Sequence, residues 1–215
     1  INLIGSKNLT VTSGALTPAV SNAFLITSAT SANITFSQQP TNTVAGVTIA
    51  PAVTATVTDA FGNPINGQAV TIALTTGTGV LSGTLTQNTN ASGVATFADL
   101  SINLIGSKNL TATAGALTTV SNAFTITVST PTALGFIQQP TTTVAGANIA
   151  PAVTATVTDT FGNPVSGQAV TIALTTGTGV LSGTFTQNTD ASGVATFPDL
   201  SINLIGSKNL TVTSG

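Results

Sequence analysis

Charged side chains are scarce in this sequence, and they are the residues that could perform acid–base or ligand chemistry. The 215 residues carry three lysines and five aspartates, for a net charge of -2, and include no His, Cys, Met, Tyr or Trp. General acid–base catalysis near neutral pH usually depends on His or a tuned Glu, Cys or Tyr, and zinc sites depend on His and Cys. We therefore expect no enzyme activity, no catalytic residues and no bound cofactor.

One lysine lies in a short motif that recurs along the chain. Lys108 stands in Gly106-Ser107-Lys108-Asn109, and Lys7 and Lys208 stand in the same four residue types. A serine beside a lysine acts as a nucleophile only where both groups are oriented in a dry cleft. The favoured interpretation of Lys108 is a solvated turn lysine that keeps the protein soluble. A covalent crosslink between this lysine and an Asn or Asp side chain is the alternative.

The aspartates could offer oxygen ligands to calcium. Asp59 and Asp99 recur as Asp159 and Asp199, but calcium takes about six to eight oxygens and usually needs several carboxylates together. Asp59 begins the run Asp-Ala-Phe-Gly-Asn-Pro, whose residue types favour a tight turn. We therefore predict that Asp59 caps this turn and that the chain has no metal site.

Several classes of partner are excluded by composition. Residues 77–83 superficially resemble a phosphate-binding loop, but the glycine spacing does not fit and no helix follows, so a loop between strands is predicted. Three lysines leave no basic surface for nucleic acid, and no apolar run is long enough for a membrane span. The expected partners are neighbouring repeats of the same chain or, through self-association, further copies.

Asparagine sequons add a candidate modification. The motif is short and the chain is rich in threonine, so chance matches are expected. A surface glycan is nevertheless a candidate partner at the five Asn-x-Ser/Thr positions, which are Asn8, Asn33, Asn90, Asn109 and Asn209.

Short alternating segments must position all of these residues. Apolar residues alternate with mostly polar ones over residues 53–58, 70–75 and 110–114, and a period of two places the apolar set on one face of a strand. Turns rich in Gly, Asn and Pro separate the segments, which is typical of an all-β sandwich. Phenylalanines in or beside the strands are expected to fill the core rather than stack on a ligand: Phe36, Phe61, Phe97, Phe124, Phe136, Phe161 and Phe197.

Internal repetition is the strongest signal in the chain. Residues 40–101 recur as residues 140–201 with nine differences, and residues 1–14 recur without change as residues 202–215. The middle copy of this second segment, residues 102–115, differs at two positions. We therefore expect a longer tandem array whose alternating two-domain unit repeats from Ile1 to Ile202. In that array the residues after Gly215 would read Ala-Leu-Thr-Pro-Ala-Val.

Domain boundaries are predicted in the small, polar segments near residues 28 and 129. Residues 1–28 would be the last strands of a preceding domain, residues 29–129 a complete domain, and residues 130–215 a domain lacking its last strands. A repeat of about 100 residues is large enough to fold by itself.

A set of landmarks within residues 54–97 carries a family resemblance. The set comprises a strand ending in Asp59, the turn at residues 62–64, the glycines near residues 79–83, and the Gly-Val-Ala-Thr of residues 93–96. It resembles the bacterial immunoglobulin-like (Big-type) repeats of intimin- and invasin-type surface adhesins, and residues 154–197 match at the same places. The resemblance implies tandem Ig-like sandwiches in a secreted or surface-displayed protein, where such domains act as stalks.

Two functions from different classes remain open at this point. The first is a rod-like stalk or spacer in an extracellular, cell-surface protein. The alternative is a self-assembling subunit of an extracellular filament, sheath or surface layer. This function is considered because copies with few charges repel one another only weakly. A carbohydrate-binding module is less favoured because aromatic residues are few, and an ice-binding surface of Thr-x-Thr strands is less favoured because ordinary solvated strands share that pattern.

Overall fold

The computed structural model describes residues 1–215 and consists of β-strands joined by turns. It has no helix long and apolar enough to cross a membrane. Two compact units divide the chain. Unit 1 comprises Ile1–Thr43 and Val47–Ile126, and unit 2 comprises Val44–Gly46 and Thr127–Gly215. The predicted finer boundaries at residues 28 and 129 stay a prediction.

Unit 1 contains a two-layer arrangement of antiparallel strands. One sheet has the order β10-β8-β13-β15-β6 with β14 also paired to β13, the other has the order β11-β7-β5, and β9 pairs with β12. Near the start of the chain, β1 pairs with β4 and β2 pairs with β3. The strands in or bordering this unit are β1 (Gly5–Lys7), β2 (Thr10–Val11), β3 (Ala19–Val20), β4 (Phe24–Ile26), β5 (Ser31–Gln38), β6 (Thr43–Val44), β7 (Val53–Asp59), β8 (Ala69–Thr76), β9 (Leu81–Ser82), β10 (Thr86–Asn88), β11 (Val94–Phe97), β12 (Ser101–Ile102), β13 (Gly106–Ala114), β14 (Leu117–Val120) and β15 (Phe124–Thr127).

Unit 2 repeats this arrangement with fewer strands. Its sheets have the orders β20-β18-β23 and β16-β17-β21, and β19 pairs with β22. Counterparts of β14 and β15 would follow β23, where the chain ends at Gly215. The strands are β16 (Pro131–Gln138), β17 (Val153–Asp159), β18 (Ala169–Thr176), β19 (Leu181–Ser182), β20 (Thr186–Asn188), β21 (Val194–Phe197), β22 (Ser201–Ile202) and β23 (Asn209–Ser214).

The core forms where the apolar faces of the two sheets meet, and the predicted alternation is confirmed. Along β7, buried residues alternate with half-buried threonines from Val53 to Asp59. Across the interior, Phe97 on β11 and Leu110 on β13 are fully enclosed. Unit 2 has the same core around Phe197, with Val153 and Val170 beside it. The all-β sandwich therefore follows directly from the period of two.

The phenylalanine prediction was correct only in part. Phe97, Phe124 and Phe197 are buried, and Phe36 and Phe136 are half-buried. Phe61 and Phe161 are 62% and 40% exposed, so the expectation that they fill the core was wrong. Both lie in the turn after an aspartate, where the period-two alternation has ended and the side chain no longer faces the opposite sheet.

Candidate functional site

The buried carboxylate of Asp59 organises the turn that follows β7. Its Oδ1 accepts hydrogen bonds from the backbone N–H groups of Phe61, at 2.9 Å, and Asn63, at 2.8 Å. Gly62 lies between these donors with φ of 83°, a left-handed conformation that glycine adopts at little cost. The Asp59 N–H also donates to the carbonyl of Asn63 at 2.9 Å. Asp59 thus caps the turn as the sequence predicts.

The second carboxylate oxygen connects this turn to other parts of the chain. Oδ2 of Asp59 accepts from the N–H of Ala29 and from Nδ2 of Asn63, both at 3.0 Å. Nδ2 of Asn63 also donates to the carbonyl of Asn2 at 2.7 Å, and the N–H of Ile4 donates to Oδ1 of Asn63 at 3.2 Å. Two buried side chains therefore join the turn, the segment before β5, and residues 2–4.

The hydrogen bonds also fix the protonation state of Asp59. Burial by itself raises the pKa of this carboxyl, but the side chain of Asn63 and the N–H groups of Ala29, Asn63 and Phe61 outweigh burial and lower the pKa to about 2. The charge is balanced by donors on both oxygens rather than by a cation. The molecule has no cluster of three His, Cys, Asp or Glu side chains that could hold a metal.

Unit 2 builds the same turn from its own residues. Oδ1 of Asp159 accepts from the N–H groups of Phe161 and Asn163, each at 2.9 Å. Oδ2 accepts from Nδ2 of Asn163 at 2.9 Å and from the N–H of Ser129 at 3.2 Å. Burial raises the pKa of Asp159, and these hydrogen bonds reverse the effect, so that the net shift is downward. The motif is therefore a repeated part of the fold.

Lys108 is buried, and the prediction of a solvated turn lysine was wrong. Only 1% of its surface is exposed, and Nζ donates to the carbonyls of Thr78, at 2.7 Å, and Ile105, at 3.0 Å. A Cβ added at Gly77 would lie 2.7 Å from Cδ of Lys108 and 2.5 Å from the carbonyl oxygen of Ser107. The loop at residues 77–83, which superficially resembles a phosphate-binding loop, therefore covers Lys108. Gly77 allows this close approach because it has no side chain.

The surroundings of Lys108 favour a structural role. Burial lowers the pKa of its ammonium group because the charge is removed from water. The hydrogen-bond partners of Nζ are backbone carbonyls, and the Asn109 side chain is engaged elsewhere, donating to the carbonyl of Ser121 at 2.9 Å. Neither a serine–lysine dyad nor a crosslink is supported by these contacts.

The three lysines provide an internal test of this burial. Lys7 and Lys208 share the motif of Lys108 but are half-buried. We expect an amine-acetylating reagent to modify Lys7 and Lys208 much faster than Lys108, because Lys108 reacts only after local opening. Peptide mass spectrometry over a time course measures the three rates. Equal rates would show that the loop at residues 77–79 does not cover Lys108 in solution.

The predicted sequons occupy different environments, and their glycosylation stays a prediction. Asn90 is exposed, and its Oδ1 accepts from the N–H groups of Ser92, at 2.9 Å, and Val94, at 3.1 Å, which leaves the amide nitrogen outside the turn's bonds. Asp190 makes the same two bonds in unit 2. Of the other four, Asn8, Asn33 and Asn109 donate through Nδ2 to the carbonyls of Ser21, Asp59 and Ser121, and Asn209 is exposed.

Asn63 is the functional residue that the sequence interpretation missed. It was treated as one of several turn formers, whereas the structure shows a 5% exposed side chain that joins its own turn, through Asp59, to residues 2–4. The available signal was the spacing Asp-x-x-x-Asn, which recurs as Asp159 and Asn163 in otherwise exposed turns. An amide four residues after a strand-ending carboxylate can reach that carboxylate across a tight turn.

Comparisons with known proteins agree with the landmarks in the sequence. No family model matches the chain. Inverse autotransporter adhesin YeeJ of Escherichia coli strain K12 is 34% identical over 148 residues, which cover 67% of this chain and 6% of YeeJ. Among solved structures, the D0-D1 domain of intimin is 25% identical, covers 85% of this chain and 90% of that chain, and has a TM-score of 0.38. Invasin, a bacterial integrin-binding protein, is 25% identical, covers 85% of this chain and 36% of that chain, and has a TM-score of 0.41. The predicted recognition is confirmed, and the repeats of this chain are bacterial Ig-like tandem repeats of the intimin and invasin type.

Proposed function

We propose that these repeats form a rod-like stalk or spacer in an extracellular, cell-surface adhesin. The observation that carries the proposal is the Asp59 turn. Its carboxylate and the amide of Asn63 hold the backbone at Ala29 and at residues 2–4. On the boundary predicted near residue 28, these bonds within unit 1 would join the end of one domain to the start of the next. A stalk needs this kind of restraint, because a free linker would let consecutive domains reorient.

The surface chemistry of the strands supports a passive role. Threonine hydroxyls pair across neighbouring strands, with Oγ1 atoms 3.0 Å apart between Thr71 and Thr86 and between Thr75 and Thr111. These paired hydroxyls carry no net charge. The relative in Escherichia coli is named as an adhesin, and a non-catalytic spacer is consistent with that class of protein.

Electron microscopy of purified arrays of two and four repeats tests the stalk. We expect separate thin particles whose length doubles with the number of repeats, at both low and high protein concentration. Compact particles, or lengths that do not scale with repeat number, would contradict the proposal. Lateral sheets or bundles at both concentrations would instead favour a self-assembling layer.

The same arrays, with Asn63→Ala and the equivalent substitution in every repeat, test whether the Asp59 turn restrains the stalk. This change removes the amide but keeps the carboxylate and its two bonds to turn N–H groups, so the domains should remain folded. We expect the particles to bend more and the N–H of Ile4 to exchange faster with deuterium. Asn90→Ala is the matched control, because the Asn90 side chain accepts hydrogen bonds only from Ser92 and Val94 within its own exposed turn, and it should leave both measurements unchanged.

A further inference from the structure

The sequence has one Asn-Gly pair, Asn66-Gly67, which lies between β7 and β8. The backbone nitrogen of a residue can attack the side-chain carbonyl carbon of a preceding asparagine and close a succinimide ring. Glycine obstructs this attack least because it has no side chain, so Asn-Gly is the most reactive pair of this kind. Unit 2 has Ser166-Gly167 at the same place, and a serine offers no carbonyl carbon to attack.

The structure leaves room for this reaction at Asn66. Both Asn66 and Gly67 are exposed to water, which is the reactant that later hydrolyses the ring. A Cβ added at Gly67 would meet no atom within 4 Å, so the space beside the attacking nitrogen is open. Crowding therefore does not prevent ring closure here, and protection must come from the hydrogen bonds of the backbone.

A hydrogen bond occupies the nitrogen that would attack. The N–H of Gly67 donates to the carbonyl of Thr89 at 2.8 Å, next to the pair of Ala69 with Asn88 that joins β8 to β10. The nitrogen attacks only after it has lost its proton, and an amide proton in such a bond is removed only when the segment opens locally. Exchange of the same proton for deuterium requires the same opening.

Thr89 holds the backbone on both sides of Asn66. It is 3% exposed, and its Oγ1 donates to the carbonyl of Ile65 at 2.6 Å and accepts from the N–H of Gln68 at 2.9 Å. The N–H of Thr89 also donates to the carbonyl of Gln68 at 2.9 Å. Releasing Gly67 therefore disturbs four hydrogen bonds made by one buried residue, and local opening should be rare.

We propose that Asn66 of unit 1 is a site of spontaneous deamidation, and that Thr89 sets the rate of this reaction by holding the N–H of Gly67. In the opened segment, hydroxide removes the Gly67 proton and the nitrogen bonds to Cγ of Asn66. The side-chain nitrogen of Asn66 takes up a proton and leaves as ammonia. A water molecule then opens the ring at either of its two carbonyls, which gives aspartate or isoaspartate at position 66.

The isoaspartate product would change the fold as well as the charge. Both products replace a neutral amide with a carboxylate, and isoaspartate also lengthens the main chain by a methylene group. The added carbon moves the N–H of Gly67 relative to the carbonyl of Thr89, so the bond that slowed the reaction is lost after it. Unit 1 would therefore become less stable with age, whereas unit 2, which has Ser166, would not.

Incubation of the 215-residue chain in warm, mildly alkaline buffer tests the proposal. Peptide mass spectrometry measures the conversion of Asn66, and deuterium exchange measures the protection of the Gly67 N–H. A synthetic peptide of residues 62–72, which lacks β10, gives both unprotected rates. We expect the folded chain to deamidate more slowly than the peptide, by the same factor that separates the two exchange rates of Gly67. Equal deamidation rates, or a slowing that clearly differs from the Gly67 factor, would overturn the proposal.

Thr89→Val tests the role assigned to Thr89. The substitution keeps the shape of the side chain but removes both Oγ1 hydrogen bonds, so we expect deamidation of Asn66 and deuterium exchange of Gly67 each to become faster by about tenfold. Thr189→Val is the matched control, because Thr189 makes the same bonds in unit 2 and should not affect either rate at residues 66 and 67. Faster exchange of Gly67 without faster deamidation would refute the proposal.

Ser166→Asn moves the reactive pair into unit 2. The N–H of Gly167 donates to the carbonyl of Thr189 at 2.8 Å, so the new site should deamidate at a rate set by the protection of Gly167. Asn66→Ser should abolish the reaction in unit 1, and melting temperatures check that both variants remain folded. Resistance of residue 166 to conversion in the Ser166→Asn chain, even when Thr189→Val is added, would contradict control by this hydrogen bond.

Discussion

Asp59→Asn is expected to lower the melting temperature of unit 1 by about 10 °C, because a buried cluster of donors loses its acceptor. The wild-type carboxylate accepts two hydrogen bonds on each oxygen. An asparagine keeps one oxygen and places an NH₂ group against the remaining N–H donors. Deuterium exchange measured by mass spectrometry at increasing temperature reports the unfolding of unit 1 separately from that of unit 2. Asn90→Asp is the control and should be nearly neutral, since Asp190 already makes the same turn bonds in unit 2.

The same variant should change how stability depends on pH. Asp59 has a pKa of about 2 in the folded protein, below the ordinary value of 3.8, so the unfolded chain binds more protons between these values. Stability of the wild-type protein should therefore decrease as the pH falls from about 4 to about 2. In Asp59→Asn this decrease should be smaller for unit 1 and unchanged for unit 2, where Asp159 remains. Parallel losses in both units would show that Asp59 does not control the acid sensitivity of unit 1.

Phe97→Ala is expected to destabilise unit 1 by about 3–5 kcal/mol, the range for removing a large side chain from a close-packed core. Phe97 is completely buried on β11, and the opposite sheet cannot collapse fully into the space that the ring leaves. Urea denaturation followed by circular dichroism or deuterium exchange measures the change in the free energy of unfolding.

Phe61→Ala provides the comparison for this prediction. Phe61 is 62% exposed, and exposed positions away from special contacts usually change stability by less than about 0.5 kcal/mol. If the two substitutions had similar effects, the burial of Phe97 and the exposure of Phe61 would both be called into question.

The sandwich was predictable because its determinants are local. Alternation along β7 and the Asp-Ala-Phe-Gly-Asn-Pro turn specify strands, faces and a reversal of direction within a few residues of sequence. The roles of Asn63 and Lys108 were not predictable in this way. Asn63 is buried by residues 2–4, which are about sixty positions away, and Lys108 is covered by a loop thirty positions away. The residue type shows which hydrogen-bond donors a side chain carries. How deeply that side chain is buried, and which atoms it bonds, depend on packing between segments that are distant in the sequence.

The threonine pairs on the strand faces also determine how the protein responds to its medium. Ion pairs on ordinary protein surfaces weaken when dissolved salt screens them, over a distance of about 8 Å at physiological ionic strength. The hydroxyl pairs of Thr71 with Thr86 and of Thr75 with Thr111 carry no net charge, and only 4% of all residues are charged. A change in salt concentration should therefore alter the electrostatic energy of this surface only slightly. The free energy of unfolding of the repeats should be nearly the same in fresh water and in brine.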